Sequence, residues 1–182
     1  MQHYVERDIE KILLTKEQLD ARVAELGEQI SRDYEGKDFI GVGILRGSVV
    51  FFSDLMRHIK IPMEIDFMAV SSYGKQSSST GSVQIKYDMQ EDIHGKHLLI
   101  IEDIIDSGWT LSNLTKLLRG RAPESIEICC LLNKPSRREV EVPVKYVGFD
   151  IPDEFVVGYG LDYAAKYRNY EHVGVLKRSV YE

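Results

Sequence analysis

Apolar residues recur along the chain with spacings that separate helices from strands. Near the N-terminus they occupy positions 19, 23, 26 and 30, and these intervals place them on one face of an α-helix. Thr15 precedes this face and Gln18 follows it by three residues, which is the arrangement of a capping box. The pattern therefore predicts a helix that begins just after Thr15.

Other apolar blocks are short and continuous, which favours buried β-strands. The predicted strands are 10–15, 39–45, 63–70, 83–89, 96–101, 125–132 and 144–149. Helical patterns follow two of them, in "VVFFSDLMRHI" and in the leucines at positions 111, 114, 117 and 118. Strands that alternate with helices predict an α/β fold with a parallel sheet. Because no repeat or inter-domain linker is visible, we expect one domain over residues 1–182.

Residues 71–82, "SSYGKQSSSTGS", are rich in serine and glycine and have little apolar content. This composition is typical of a mobile surface loop. By composition alone, a plain linker between two strands explains the segment equally well.

Composition and charge narrow the function classes. The chain has 182 residues, of which 43% are hydrophobic, and its net charge is −6. This charge argues against generic binding of nucleic acids or anionic membranes. No apolar run approaches the roughly 18 residues of a membrane span, and the N-terminus has no secretory signal pattern. The adjacent Cys129 and Cys130 are interpreted as reduced core residues on opposite faces of a strand, in a cytoplasmic protein.

The stretch "LLIIEDIIDSGWTLSNL" (98–114) carries the candidate chemistry. Ser107 and Thr110 offer hydroxyls at a predicted helix start, where backbone N–H groups favour an anion. Gly108 lets the backbone approach a ligand closely. Because a sheet binds ligands beyond the carboxyl ends of its strands, we expect residues 102–110 to lie there, between the strand and the helix.

Two carboxylates, Glu102 and Asp103, precede this phosphate-like loop. They would repel a phosphate at contact distance, but they suit ribose hydroxyls or Mg²⁺, which prefers oxygen ligands. A ribose 5-phosphate satisfies both halves of the stretch. For the acid pair alone, a solvated acidic turn is an equally good interpretation.

The chain resembles the type I phosphoribosyltransferase family. "IIEDIIDSGWTL" is similar to the family's phosphoribosyl-diphosphate signature, and further motifs match over about residues 8–176: "GILRGSVVFFSDL", "SSYG…STG", "LLNKPSRR" and "IPDEFVVGYGLDY". Within that family, the chain is similar to the hypoxanthine and hypoxanthine–guanine enzymes.

The resemblance implies a fold, an activity and partners. The fold is a Rossmann-like parallel sheet flanked by helices, with a small hood from the terminal segments. The activity is transfer of 5-phosphoribosyl from phosphoribosyl diphosphate to hypoxanthine, and to guanine, which gives the nucleotide and diphosphate. Mg²⁺ is the implied cofactor. The implied partners are the two substrates, in a homo-oligomer (dimer or tetramer), without nucleic acid or membrane.

The resemblance also implies site residues. Asp106 is the expected catalytic acid or base beside N7 of the purine. Phosphoribosyl diphosphate is expected to bind at Leu45, Arg46, Gly47, Ser72, Tyr73, Glu102, Asp103, Ile104, Ile105, Asp106, Ser107, Gly108, Trp109, Thr110 and Arg168. The purine is expected at Lys134, Phe155, Val156 and Asp162, and metal at Glu102, Asp103 and Asp162. A cis peptide bond is expected between Leu45 and Arg46.

Two residues depart from the family pattern. Arg46 stands where many relatives have lysine, so the charge is kept but the geometry of its donors differs. Trp109 fills a position where smaller, aliphatic or basic residues are common. Its indole has three open interpretations: it covers the site, packs on a neighbouring subunit or lies on the surface.

Two rival functions use the same residues. A regulator that senses phosphoribosyl diphosphate and binds RNA or DNA should show a basic face or an added helix-turn-helix domain. The acidic composition and a length of 182 residues argue against both. The other rival is a different acceptor base, since Lys134 and Phe155 favour a 6-oxopurine but do not rank hypoxanthine, guanine and xanthine.

Overall fold

A computed structural model of the chain describes residues 4–72 and 83–182. Within these residues, the strands are β1 (Ile9–Leu14), β2 (Phe39–Leu45), β3 (Glu64–Ser72), β4 (Val83–Tyr87), β5 (His97–Ile105), β6 (Ser125–Asn133), β7 (Tyr146–Asp150), β8 (Val156–Val157) and β9 (Val173–Leu176). The α-helices are α1 (Lys16–Asp33), α2 (Val49–His58), α3 (Trp109–Arg119) and α4 (Arg178–Tyr181). Short 3₁₀ turns occupy Tyr4–Asp8 and Pro135–Arg137.

The larger of two sheets confirms the predicted α/β fold. Its strand order is β4-β3-β2-β5-β6-β7. The pairs β3–β2, β2–β5, β5–β6 and β6–β7 are parallel, and the pair β4–β3 is antiparallel. β5 lies between β2 and β6, so both of its edges are paired. Strands paired in this way must be apolar, as "FIGVGIL" and "HLLII" are.

Helices cover both faces of this sheet. The apolar side chains of α1 and α2 pack on one face, together with Cys129. Those of α3 pack on the other face, together with Cys130. Both cysteines are buried and unpaired, which confirms their interpretation as reduced core residues on opposite faces. Burial raises the pKa of both thiols.

The start of α1 confirms the capping box predicted from sequence. The Thr15 hydroxyl accepts a hydrogen bond from the Gln18 N–H at 3.3 Å, and the Gln18 side chain accepts one from the Thr15 N–H at 2.8 Å. The predicted apolar face of the helix, from Leu19 to Ile30, is fully buried. The sequence pattern therefore located both the beginning and the buried side of this helix.

The terminal segments form a second, smaller antiparallel sheet of order β1-β9-β8. It has its own buried cluster of Ile9, Val157, Tyr170 and Leu176, against which Tyr181 and other side chains pack. This sheet is the hood that the family resemblance implied. We call it the hood below.

Several predicted boundaries were wrong by a few residues. β5 continues through Ile105, because Ile104 and Ile105 pair with Leu132 and Asn133 of β6. Glu102 and Asp103 therefore lie within the strand and not beyond it. β3 likewise continues through residues 71 and 72, which were predicted as loop, because they pair with β4. The rest of the predicted mobile loop, residues 73–82, lies outside the described residues.

A search of the described helices for a membrane span gives a negative result: none combines the length and the apolar character required to cross a bilayer.

The capping box gives a stability prediction. Replacing Thr15 by alanine removes the acceptor for the Gln18 N–H, so the free energy of unfolding should fall by about 1 kcal/mol, within a range of roughly 0.5–2 kcal/mol. Urea unfolding followed by circular dichroism measures this change. Thr15→Ser is the matched control and should stay within a few tenths of a kcal/mol of the parent, by the similar ranking of these caps. Equal losses in both variants would contradict the capping role.

Candidate active site

The functional residues predicted from sequence meet where β2, β5 and β6 end. Because these strands are parallel neighbours, the segments that follow them all leave the sheet at the same side, beyond the carboxyl ends of the strands. The segments are the loop 45–47 after β2, the stretch 106–110 after β5 and Lys134 after β6. The topology therefore brings together motifs that lie about 90 residues apart in the sequence.

The loop after β2 lies directly against the acid pair. The peptide bond between Leu45 and Arg46 is cis, as expected from the resemblance. Gly47 approaches Asp103 so closely that a Cβ atom at position 47 would lie 1.5 Å from Asp103 Oδ2. Only glycine fits this contact, which joins the proposed diphosphate loop to the carboxylates of β5.

The acid pair is desolvated. Burial, with the neighbouring Asp103 charge as a second cause, raises the pKa of the Glu102 carboxyl well above its usual range. Burial also raises the pKa of Asp103, partly offset by hydrogen bonds, among them one from the Ile104 N–H at 2.8 Å. Glu102 Oε2 is shielded from solvent and has no hydrogen-bond partner within the described residues. The alternative interpretation, a solvated acidic turn, was wrong, because both residues lie in β5 and their carboxyl groups are shielded from solvent.

The stretch 106–110 after β5, which we call the candidate phosphate loop, leads into the N-terminus of α3. Gly108 adopts a left-handed conformation (φ +88°) immediately before α3, and no side chain caps the helix. The N–H groups of the first turn have no intrahelical acceptors; the Trp109 N–H makes a long hydrogen bond to Ser107 Oγ at 3.5 Å. Such N–H groups, with the Ser107 and Thr110 hydroxyls, favour an anion. Ile105 is buried and Ile104 packs against the core, so these two residues face the site only through their backbone.

A segment that sequence reasoning missed supports this phosphate loop from behind. The N–H groups of Glu139 and Val140 both donate to the Ser107 carbonyl, at 3.0 and 3.1 Å. The Trp109 indole N–H donates to Glu139 Oε2 at 2.9 Å, while the ring is 46% exposed. Trp109 therefore ties the helix start to this segment across the surface. The contact had no sequence signal, because about 30 residues separate the partners.

Lys134 is a buried cation beside the loop. Only 7% of the residue is exposed, and its ammonium lies 3.5 Å from Asp106 Oδ1 and 3.9 Å from Asp153 Oδ1. These distances are ion pairs and not good hydrogen bonds, so its donors remain available to a ligand. Asp153 was not among the predicted residues, although it stands in the quoted "IPDEFVVGYGLDY" motif.

Phe155 and Val156 stand where the hood meets this pocket. The Phe155 ring is 40% exposed. The Phe155 carbonyl accepts from the Leu176 N–H of β9 at 2.9 Å. Because backbone groups alternate in direction along a strand, those of Val156 point away from β9 at the edge of the hood.

Asp162 and Arg168 are paired with each other. Arg168 Nη2 lies 2.6 Å from Asp162 Oδ1, and Arg168 Nη1 donates to the Gly160 carbonyl at 2.6 Å. The Arg168 charge is also close enough to Asp103 to offset a small part of the rise in the pKa of that carboxyl, which burial causes. Arg46 is exposed and makes no ion pair with the described residues. Ser72 is the last residue of β3, and Tyr73 lies outside the described residues.

Within residues 4–72 and 83–182, no group of three or more His, Cys, Asp and Glu side chains is placed so that it could hold a metal ion.

A cavity of about 700 Å³ lies apart from the candidate phosphate loop, and Arg168 is the one predicted site residue among those that line it. Its charged residues pair locally, Lys16 with Asp20 and Arg57 with Asp54.

Comparison with known proteins gives consistent matches. The family model for the phosphoribosyl transferase domain matches residues 11–164. The chain is 53% identical to the hypoxanthine phosphoribosyltransferase of Salmonella typhimurium over 176 residues, 96% of each chain. It is 50% identical to the hypoxanthine-guanine phosphoribosyltransferase of Mycobacterium tuberculosis over 181 residues, covering 96% of this chain and 90% of the relative.

Solved structures agree. A crystal structure of a hypoxanthine phosphoribosyltransferase from Staphylococcus aureus superposes with a TM-score of 0.96 at 49% identity and covers 100% of this chain and 99% of the other. The strand order, the phosphate loop, the buried acid pair and these similarities lead to one conclusion: this chain belongs to the phosphoribosyltransferase family.

Proposed function

We propose that this chain transfers the 5-phosphoribosyl group of phosphoribosyl diphosphate to N9 of hypoxanthine, and of guanine, in purine salvage. The products are the purine nucleotide and diphosphate. Relatives at 50–53% identity that carry the names hypoxanthine and hypoxanthine-guanine phosphoribosyltransferase support this assignment. Both relatives match 96% of the chain, so the likeness includes the site.

The placement of Lys134 beside Asp106 is the observation that carries the choice of base. One edge of a 6-oxopurine presents the 6-oxygen, an acceptor, next to N7, which carries a proton in one tautomer of the free base. Lys134 supplies only donors and an ionised Asp106 only acceptors, and the two charged groups lie 3.5 Å apart. A buried donor next to an acceptor matches that edge group by group.

The phosphate loop holds the other substrate. The 5-phosphate binds to the N–H groups and hydroxyls of Ser107–Thr110, and the hydrogen bonds from the 139–140 segment keep that loop in place. The ribose diol donates to Asp103 and to Glu102, whose Oε2 has no hydrogen-bond partner among the described residues. Both carboxyls lie near the end of β5, just before the candidate phosphate loop, so they fix the ribose ring next to its 5-phosphate.

The acid residues also fit Mg²⁺. Glu102 and Asp103 would hold one ion and Asp162 a second, and the unpartnered Glu102 Oε2 and the raised pKa of both β5 carboxyls are what a site completed by a cation would show. Because the chain alone offers fewer than three ligands at any one place among its described residues, substrate oxygens and water would complete the shell, as is usual for Mg²⁺. When bound, Mg²⁺ offsets the negative charge of the departing diphosphate.

The diphosphate binds at the loop Leu45–Gly47, with Arg46 and Arg168 as cations and Ser72 and Tyr73 closing from β3. Arg168 must then exchange part of its pairing with Asp162 for the diphosphate oxygens. The purine stacks on Phe155 and hydrogen-bonds to the outward backbone groups of Val156. Each of these roles follows the family pattern.

The chemistry requires one proton transfer by this chain. As N9 bonds to C1 of the ribose, the N7 proton must leave the base, and the Asp106 carboxylate accepts it. The electron pair of the N7–H bond stays on the ring and neutralises the positive charge that the new N9 bond creates, while Lys134 donates to the 6-oxygen and orients the base. Water would intercept the ribosyl cation, so transfer to the base requires that water be kept from the reacting atoms.

The assembly and the location are further parts of the proposal. We propose a homo-oligomer, dimer or tetramer, in the cytoplasm, in line with the family resemblance. Sedimentation equilibrium at micromolar concentration measures the molar mass in solution, and the mass of a monomer would contradict the proposed homo-oligomer.

A panel of free bases tests the proposed activity. With phosphoribosyl diphosphate and Mg²⁺, hypoxanthine and guanine should be converted to nucleotides, while adenine and uracil should give little product. Removal of Mg²⁺ with EDTA should stop the reaction, and added Mg²⁺ should restore it. Liquid chromatography measures the amount of nucleotide formed in each of these reactions. Turnover of adenine or uracil at the rate of hypoxanthine would contradict the assignment.

Asp106 offers a test of the proton transfer. Asp106→Asn keeps the shape but removes the base, so kcat should fall by roughly 10²- to 10⁴-fold, while the Kd for phosphoribosyl diphosphate should change much less. Asp153→Asn is the matched control, because Asp153 is the other carboxylate beside Lys134. A kcat that falls equally in both variants would mean that charge around Lys134, and not the base at position 106, is what matters.

Lys134 offers a test of base selectivity. Facing adenine, its ammonium meets a 6-amino donor, and one group stays unsatisfied at a cost of roughly 1–3 kcal/mol. Lys134→Gln presents either a donor or an acceptor, so kcat/KM for hypoxanthine should fall and the gap to adenine should narrow. Arg137→Gln, which removes a cation on the exposed side of Asp153, is the control and should leave the ratio unchanged. The same ratio in the parent and in Lys134→Gln would remove Lys134 from the purine pocket.

A further inference from the structure

The Phe155 ring stands between two tyrosines of the C-terminal part of the chain. Tyr181 stacks on it, with ring centroids 4.8 Å apart and planes 23° from parallel. Tyr163 meets it edge-on at 5.7 Å and 85°. One face of Phe155 is therefore covered by a parallel ring, while the side chain as a whole remains 40% exposed.

Tyr181 belongs to the hood and not to the purine pocket. It lies in α4 and packs against the hood cluster of Ile9, Val157, Tyr170 and Leu176. The segment before it is held by two hydrogen bonds from Lys177: its N–H donates to the Asp8 carbonyl at 2.9 Å, and its ammonium donates to the Arg7 carbonyl at 2.7 Å. The end of the chain is thus fixed to its beginning, and Tyr181 is fixed with it.

Phe155 itself has little other support. It is absent from all three buried clusters of the described residues, so core packing does not fix its side-chain rotamer. The aromatic contacts with Tyr181 and Tyr163 are what holds the plane of the ring. Phe155 follows Asp153 by two residues, and Asp153 Oδ1 lies 3.9 Å from the Lys134 ammonium.

We propose that Tyr181 is a positioning residue for the purine: it backs the Phe155 ring, so that Phe155 offers a fixed plane to the base in a stack of three rings. This inference rests on the proposed function, which assigns Phe155 to the purine. Without Tyr181, binding of the base must first order the Phe155 ring, and that cost weakens binding.

The opposite arrangement predicts the opposite sign. If Tyr181 occupied the face that the purine needs, the base would have to displace it, and loss of the ring would strengthen binding. The anchoring of α4 on the hood argues for the backing role, and measurement of the KM for hypoxanthine separates the two.

The test compares Tyr181→Leu, Tyr181→Phe and Val180→Ala. Leucine keeps the apolar volume for the hood cluster and removes the stacked ring, so KM for hypoxanthine should rise roughly 2- to 10-fold, the span expected for one aromatic pair. KM for phosphoribosyl diphosphate and kcat should change less than about twofold. Tyr181→Phe keeps the ring and should behave as the parent. Val180→Ala weakens the same helix on the same cluster without touching Phe155, so its KM should also be unchanged.

A Phe155→Leu background shows whether Tyr181 acts through Phe155. Phe155→Leu should raise KM for hypoxanthine, and Tyr181→Leu should add nothing further to it. If Phe155→Leu raises KM but Tyr181→Leu leaves it unchanged, lowers it or adds to it in full, the backing role is overturned and the purine pocket stands. If Phe155→Leu itself has no effect on KM, the assignment of the purine to Phe155 is wrong, and the inference falls with it.

Discussion

The site depends on the pairing of β5 with parallel strands on both sides. β2 pairs with β5 from His97 to Ile101, and β6 pairs with it from His97 to Ile105. Because both edges are occupied, β5 has no freedom to shift, and Glu102, Asp103 and the loop that follows have fixed positions. A one-residue slip would exchange the two faces of the strand and would carry the acid pair away from Gly47.

That rigid strand buries two carboxylates at a cost. Desolvation raises the pKa of Glu102 and of Asp103, and Glu102 Oε2 has no partner in the described part of the chain. A carboxyl oxygen that is shielded from solvent and has no partner costs free energy, and a ligand that supplies a donor or a cation offsets this cost. The proposed ribose diol and Mg²⁺ are such partners, and the contact with Gly47 places the proposed diphosphate loop at the same point.

The purine side of the site follows a different principle. Lys134 comes from the end of β6 and Asp106 from the end of β5, so the large sheet positions the polar edge contacts. Phe155, Val156 and Tyr181 come from or beside the hood, which positions the flat face. The base would therefore be bound by residues from two sheets, which share one buried cluster, and the packing between them determines how well the two sets of contacts agree.

The sequence by itself determined the parts that depend on local pattern. The Thr15 capping box, the buried face of α1, the apolar parallel strands and the opposite faces of Cys129 and Cys130 follow from periodicity and capping chemistry, which act over a few residues. The motif at 102–110, together with the family resemblance, gave the phosphate loop and the acid pair. The ends of β3 and β5 were placed too early, because pairing with a neighbouring strand extends a strand beyond its apolar residues.

Only the tertiary structure decided which distant residues meet. The contact of Gly47 with Asp103, the bond from Trp109 to Glu139, the place of Asp153 beside Lys134 and the stacking of Tyr181 on Phe155 join segments whose separation in sequence carries no signal. The desolvation of the acid pair belongs to the same class, since a carboxylate's pKa depends on what surrounds it in space. Local sequence specifies the elements, whereas burial and proximity arise only when the elements pack.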